Sequence, residues 1–228
     1  MSNYDLFDRL NKHFLSKYKN HFIDQALHRE YIAYTSVDHI ICVTEFAKRS
    51  LIKMFNFPEE SISVVHNGLN TSGFVVKSKN TLRNNYGFTI SDKIILFAGN
   101  VNIRKGVVDL VESMKLLLDR DSNFRLVIAG NGNYAVIVNA AGKKWSKITI
   151  TGNLDKETLQ DFYQLADVGV VPSYIEQCSY TAIEIMHAGL PIVVTDVDGL
   201  SEFSSGLVLS MIYLYNNSLA IMYAILLS

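Results

Sequence analysis

Val171-Pro-Ser-Tyr-Ile-Glu-Gln-Cys-Ser-Tyr-Thr-Ala-Ile-Glu-Ile-Met-His-Ala-Gly-Leu-Pro-Ile-Val-Val-Thr195 is the stretch on which the fold turns. It reads as the end of a buried strand, a loop carrying Glu176, a helix carrying Glu184, a Gly-Leu-Pro break and a second buried strand. In an open α/β sheet, ligands bind outside the carboxyl ends of the strands, where loops feed helix N-termini. Position alone therefore puts Glu176 and Glu184 at such a crevice. Two carboxylates there suit a polyhydroxylated ligand, since each accepts several hydroxyl hydrogen bonds. The N–H groups of Ser179, Tyr180 and Thr181 at the helix start suit a phosphate.

Outward from this stretch the pattern repeats. Lys93–Ala98, Arg125–Ala129, Lys147–Thr151 and Asp167–Pro172 are apolar runs of strand length. Between them, Val107, Leu110, Val111, Met114, Leu117 and Leu118 mark one helix face, and a further helix is predicted from Asp155 to Ala166. Strands apolar on both faces, alternating with amphipathic helices, imply a parallel sheet covered on both sides. Earlier in the chain, Val37–Thr44 and Ser61–Val65 read as strands around a helix whose apolar face is Ala47, Leu51, Met54 and Phe55, with Thr44 as its cap. A short helix is expected over Leu82–Tyr86.

Composition excludes several classes. A net charge of -1 gives no electrostatic case for a nucleic-acid partner. Cys42 and Cys178 stand far apart without metal-ligand spacing, which fits a reducing, cytoplasmic setting. From Phe203 to Ser228 there is no charged residue, a length that reaches the ~20 residues of a membrane crossing. Association with a membrane is therefore a second expectation, although Asn216-Asn217-Ser218 interrupt the run at its costliest depth.

Gly99-Asn-Val-Asn-Ile-Arg-Lys-Gly106 joins a strand to a helix and lacks both the dinucleotide-binding and the Walker spacing. Taken with the other motifs in order, however, the chain resembles the carboxyl-terminal half of the retaining glycosyltransferases of the glycosyl transferases group 1 family, which are similar to family 4 and have the GT-B fold. The resemblance rests on Gly99-Asn100, Lys105-Gly106, Pro172-Ser173, Glu176 to Glu184 (E-x7-E), Gly189-Leu-Pro-Ile-Val193 and Asp198-Gly199-Leu-Ser-Glu202, with His66-Asn67-Gly68 at the interdomain position.

The resemblance implies an α/β, Rossmann-like donor domain over residues 70–205, a partial acceptor-side domain over 1–69 and an apolar tail over 206–228. It implies that Lys105 neutralises the donor diphosphate and that Glu176 lies beside the transferred sugar, the two forming the catalytic pair. Glu184 would hold the ribose, and Gly152, Asn153 and Leu154 would lie along the base. Gly99, Asn100, Arg104, Ser179, Tyr180 and Thr181 complete the implied donor site. Neither metal nor cofactor is implied: the substrate is a nucleotide sugar, and the acceptor is an unspecified glycan, lipid or protein.

Two positions depart from the family pattern. Asn100 stands where the family has arginine, and Asp198 replaces the first glycine of a Gly-Gly-x-x-Glu turn. Both ends also read as shortened, which leaves room for a missing partner chain or domain. Two functions follow as expectations. One is a hexosyl-type transferase; the other is a nucleotide-sugar-binding fragment with weak or absent transfer. An unrelated nucleotide-binding regulator would leave the two glutamates unexplained.

Overall fold

The computed structural model describes residues 19–205, 211–214 and 218–227. The chain forms two compact units, Met1–Asn67 and Gly68–Ser228.

In the first unit, α1 (Lys19–Thr35) precedes β1 (Ile40–Cys42), α2 (Glu45–Phe55) and β2 (Ile62–Val64). The two strands pair in parallel, Ile40 opposite Ile62. Thr44 caps α2, its side chain accepting from the Ala47 N–H, and Asn56 ends it in the left-handed region at φ 51°. Leu51, Cys42, Phe57 and Ile62 form the core, with Ala47 and Phe55 half-buried against it. Met54, expected on the apolar face of α2, is exposed instead: the core takes Ile52 from that turn.

The second unit begins with α3 (Lys79–Asn85), three residues upstream of its expected start because Ser78 caps it. Then follow β3 (Lys93–Ala98), α4 (Val107–Leu118), β4 (Phe124–Ala129), α5 (Tyr134–Ala141), β5 (Ile148–Gly152), α6 (Lys156–Leu165), β6 (Val168–Val171), α7 (Tyr180–His187), β7 (Ile192–Thr195), β8 (Met211–Leu214) and α8 (Ser218–Leu227). The six strands form one parallel sheet in the order β5-β4-β3-β6-β7-β8. This is the doubly wound order, and it reverses between β3 and β6.

Alternation along the strands sends residues to opposite faces. Ile95, Phe97, Leu126 and Ile128 pack with α4, α5 and α8, whereas Ile94, Leu96, Ala98 and Val127 pack with Phe162 and Leu165 of α6 and Ile185 of α7. Within the uncharged carboxyl-terminal stretch, Met211–Leu214 is strand and Ser218–Leu227 helix. Ile221, Met222, Ala224 and Ile225 of α8 join the first of these clusters, and the Ser113 hydroxyl donates to the Ser218 carbonyl at 2.8 Å. Among the described residues no helix is long and apolar enough to cross a membrane.

The segment leading into α3 is strapped onto α6. The Lys77 N–H donates to Gln164 Oε1 at 2.8 Å, and Lys77 Nζ meets Asp161 at 2.7 Å. Gln164 Nε2 donates to the Val75 carbonyl, and Lys156 Nζ to that of Asn70. Arg83, buried on α3, donates to the Leu165 and Asp92 carbonyls and pairs with Asp167 at 2.6 Å. These bonds fix one wall of a cavity described below.

Candidate active site at the strand-order reversal

Where the sheet order reverses, the loops after β3 and β6 diverge, one leading to α4 and the other to α7. They are stitched together by backbone. Gly106 has φ +68°, and a Cβ placed there would stand 1.8 Å from the Pro172 carbonyl oxygen, so only glycine fits. The Tyr174 N–H donates to the Arg104 carbonyl at 2.9 Å, and the Tyr174 hydroxyl reaches Asp109 in the first turn of α4. Asn102 caps the short turn Ile103–Lys105 by accepting the Lys105 N–H. The result is a fixed approach of the two loops.

The two loops bring Lys105 and Glu176 together. Lys105 Nζ donates to Glu176 Oε2 at 2.5 Å, and the Ser173 hydroxyl stands 3.5 Å from the same oxygen. Glu176 is largely enclosed at 12% side-chain exposure, and Lys105 is open at 34%. Arg104 and Asn100, on the same loop as Lys105, are exposed.

The loop after β7 closes the other side. The Gly199 N–H donates to the Glu176 carbonyl at 3.0 Å, and Asp198 Oδ2 accepts the Glu176 N–H at 3.3 Å. Asp198 adopts φ 44°, a left-handed conformation that asks for glycine and tolerates aspartate. Burial, opposed by the Glu176 N–H and reinforced by the Glu176 carboxylate, raises the Asp198 pKa above the ordinary aspartate value. The thin end of the β7 loop is held by Thr195, whose hydroxyl donates to the Ser173 carbonyl at 2.5 Å.

Glu184 sits apart from this pair, in the second turn of α7. Tyr163 of α6 donates its hydroxyl to Glu184 Oε2 at 2.7 Å. Both line a cavity of about 320 Å³ together with Phe74, Lys156, Gln160 and His187. Ser179 caps α7 through the Ala182 N–H, and the Thr181 hydroxyl donates to the Ala98 carbonyl at the end of β3. Tyr180 is exposed. The helix start thus faces the end of the central strand, with first-turn N–H groups that have no intrahelical partner.

Glycines terminate β3, β4 and β5 in a row. The Gly99 N–H donates to the Ala129 carbonyl and the Gly130 N–H to that of Gly152, each at 2.8 Å. A Cβ on Gly130 would stand 2.0 Å from the Gly99 oxygen. Beyond the row, Asn153 is exposed and Leu154 is half-buried against the α6 side of the core. Sequence reasoning missed Tyr163, Tyr174, Asp109, Gly130 and Gly132. Gly130 and Gly132 follow directly on the apolar run Arg125–Ala129, but the tyrosines carry no motif. Among the described residues no three His, Cys, Asp or Glu side chains stand together as metal ligands.

Comparison with known proteins follows the same division. The family profile of "Glycosyl transferases group 1" matches residues 92–225, and that of "Glycosyltransferase Family 4" matches residues 4–72. An uncharacterized glycosyltransferase of Methanocaldococcus jannaschii is 33% identical over 186 residues, covering 78% of this chain and 47% of the relative. The lipopolysaccharide 1,2-N-acetylglucosaminetransferase of Salmonella typhimurium is 27% identical, covering 64% and 41%. The chain therefore spans less than half the length of these two relatives. Among solved structures, Anabaena HepE in complex with UDP and glucose superposes with a TM-score of 0.77 at 14% identity, covering 92% of this chain and 58% of that one. Sucrose-phosphate synthase of Thermosynechococcus elongatus gives 0.75 at 22% identity, covering 89% and 52%. The fold is α/β of the GT-B type.

Proposed function

This chain belongs to the glycosyl transferases group 1 family, and on that premise we propose that it moves a sugar from a nucleotide-diphosphate donor to an acceptor with retention at the anomeric carbon. The observation that carries the proposal is the Lys105–Glu176 pair, set by backbone stitching at the strand-order reversal. HepE, solved with UDP and glucose, supports a nucleotide sugar as the ligand class.

In this reading the leaving diphosphate gains negative charge as the anomeric bond breaks. Lys105 and the N-terminus of α7 are preorganised to receive that charge, a role that needs no resident metal or cofactor. Glu176, released from Lys105 by the competing phosphates, accepts hydrogen bonds from hydroxyls of the transferred sugar. Glu184 accepts those of the ribose. Gly99 and Gly152 let the nucleotide approach the strand ends without Cβ obstruction, with Asn153 and Leu154 along the base. Asn100 leaves Lys105 as the main cation, with Arg104 close in sequence and exposed.

The test is incubation of the chain with radiolabelled UDP-, GDP- and ADP-sugars, separating bound donor, free sugar and glycosylated acceptor. Binding of a nucleotide sugar, competed by its nucleoside diphosphate, is expected. Absence of binding to every donor, with the fold intact by circular dichroism, overturns the proposal.

A further inference from the structure

Glu184, which the proposed function places on the ribose, is held by a residue that no motif marks. Tyr163 is 3% exposed in the last turn of α6 and donates its hydroxyl to Glu184 Oε2 at 2.7 Å. Desolvation, reinforced by the Glu184 carboxylate, pushes the tyrosine pKa far upward, so this hydroxyl remains a donor throughout the working range of pH. The direction of the bond is therefore fixed: tyrosine gives, glutamate receives.

A helical glutamate has three side-chain torsions and is ordinarily spread over several rotamers, whose freedom is costly to remove. Tyr163 has two torsions and a ring packed in the core on the α6 side of the sheet. Its bond occupies one oxygen of Glu184 and thereby fixes the plane of the carboxylate. A carboxylate offers about four acceptor sites, so one engaged oxygen still leaves capacity for a pair of hydroxyls. Both residues line the 320 Å³ cavity. Phe74 and His187, in edge contact at 4.9 Å between ring centroids, form part of the same wall.

We propose that Tyr163 is a positioning residue for donor recognition: by holding Glu184 Oε2, it presents the carboxylate to the vicinal hydroxyls of a ribose and sets the preference for ribonucleotides over nucleotides lacking those hydroxyls. This rests on the ribose reading of Glu184. Tyr163 touches no ligand atom in this scheme and acts only through Glu184. The competing interpretation, a bond that merely ties α6 to α7, makes a different prediction for ligands with and without the hydroxyls.

The experiment compares Tyr163→Phe with the parent chain. The ligands are the nucleoside diphosphate bound most tightly among UDP, GDP and ADP, and its 2′,3′-dideoxy counterpart. Calorimetry gives the affinities and thermal unfolding checks the fold. The parent is expected to favour the ribonucleotide by about tenfold or more, the scale of one charge-assisted hydrogen bond. In Tyr163→Phe the ribonucleotide should lose about five- to tenfold while the dideoxy ligand changes by less than about twofold. On a Glu184→Ala background the tyrosine substitution should have no further effect on either ligand, as required of a residue acting through another. Equal losses for both ligands, or an unchanged ratio, overturn the positioning role and leave Glu184 on the ribose. A parent chain that binds both ligands equally overturns the ribose reading itself, and the positioning role with it.

Discussion

Lys105 donates to Glu176, a carboxylate that is largely enclosed, so in the proposed role a diphosphate competes with that carboxylate for the ammonium. The exchange is favourable because a diphosphate brings more negative charge than one carboxylate. Lys105→Ala should accordingly weaken a nucleoside diphosphate by at least about tenfold, the scale of a lost charge-assisted contact, and leave the free nucleoside nearly unchanged. Equal losses for the two ligands in calorimetry would remove Lys105 from the phosphate. Asp198 yields a pH prediction. Its folded pKa is raised, by burial first, so its stabilising contribution is full below the ordinary carboxylate range and is lost as pH rises through the folded value. Asp198→Asn keeps an acceptor for the Glu176 N–H and tolerates the same left-handed backbone, yet carries no charge. Its melting temperature should exceed that of the parent near neutrality, and the gap should close by about pH 4. A gap independent of pH would show that the charge is not what matters.

Among the elements, the stitches between loops determine how much substitution the site tolerates. Gly106→Ala combines a left-handed backbone, costing about 1–3 kcal/mol by itself, with a clash against the Pro172 carbonyl. Because Pro172 opens the loop bearing Glu176, donor binding should fall together with stability, measured by denaturant titration alongside calorimetry. The same scale explains what the sequence disclosed and what it hid. Buried strands such as Lys93–Ala98 and Val168–Val171 were legible because both faces are covered and the run is continuously apolar. Helix α5 was not, since Val136-Ile137-Val138 carries β-branched residues that suit a strand equally well, and it is Asn133 that caps the helix. Helix α8 lacks charge altogether, so no polar face betrays its period, although Leu219, Tyr223 and Leu226 are its outward side. Glu176 and Glu184 are nominated by their place after a strand end, and Lys105 by the resemblance of its loop to the family pattern. Tyr163 and Asp109 were not legible, because a supporting residue is chosen by packing across elements and its offset carries no chemistry. For α8, Ile221→Ala should cost about 2–5 kcal/mol in unfolding free energy, as expected for truncating a fully buried isoleucine. A loss below about 1 kcal/mol would mean that the helix contributes little to the core.

At the level of the whole molecule, every residue assigned to the donor lies within Gly68–Ser228. That unit has buried clusters on both faces of its sheet. Residues 68–228 produced alone should therefore unfold in one cooperative transition and bind the same nucleoside diphosphate within about threefold of the full chain, less than the 1.4 kcal/mol that a tenfold change represents. Loss of binding in a folded fragment would show that the first unit supplies part of the donor site. The packing of α8 against α4 also governs how this protein comes into being. A ribosome adds about 5–20 residues per second, so on the order of ten seconds separates the emergence of Leu110, Met114 and Leu117 from that of Ile221 and Ile225, which help to seal them. Throughout that interval the nascent chain displays the apolar side of α4 with part of its cover still unsynthesised. Slow codons ahead of Ser218, or a shortage of chaperones that bind unfinished chains, should thus lower the yield of native protein without altering a single contact in the finished molecule.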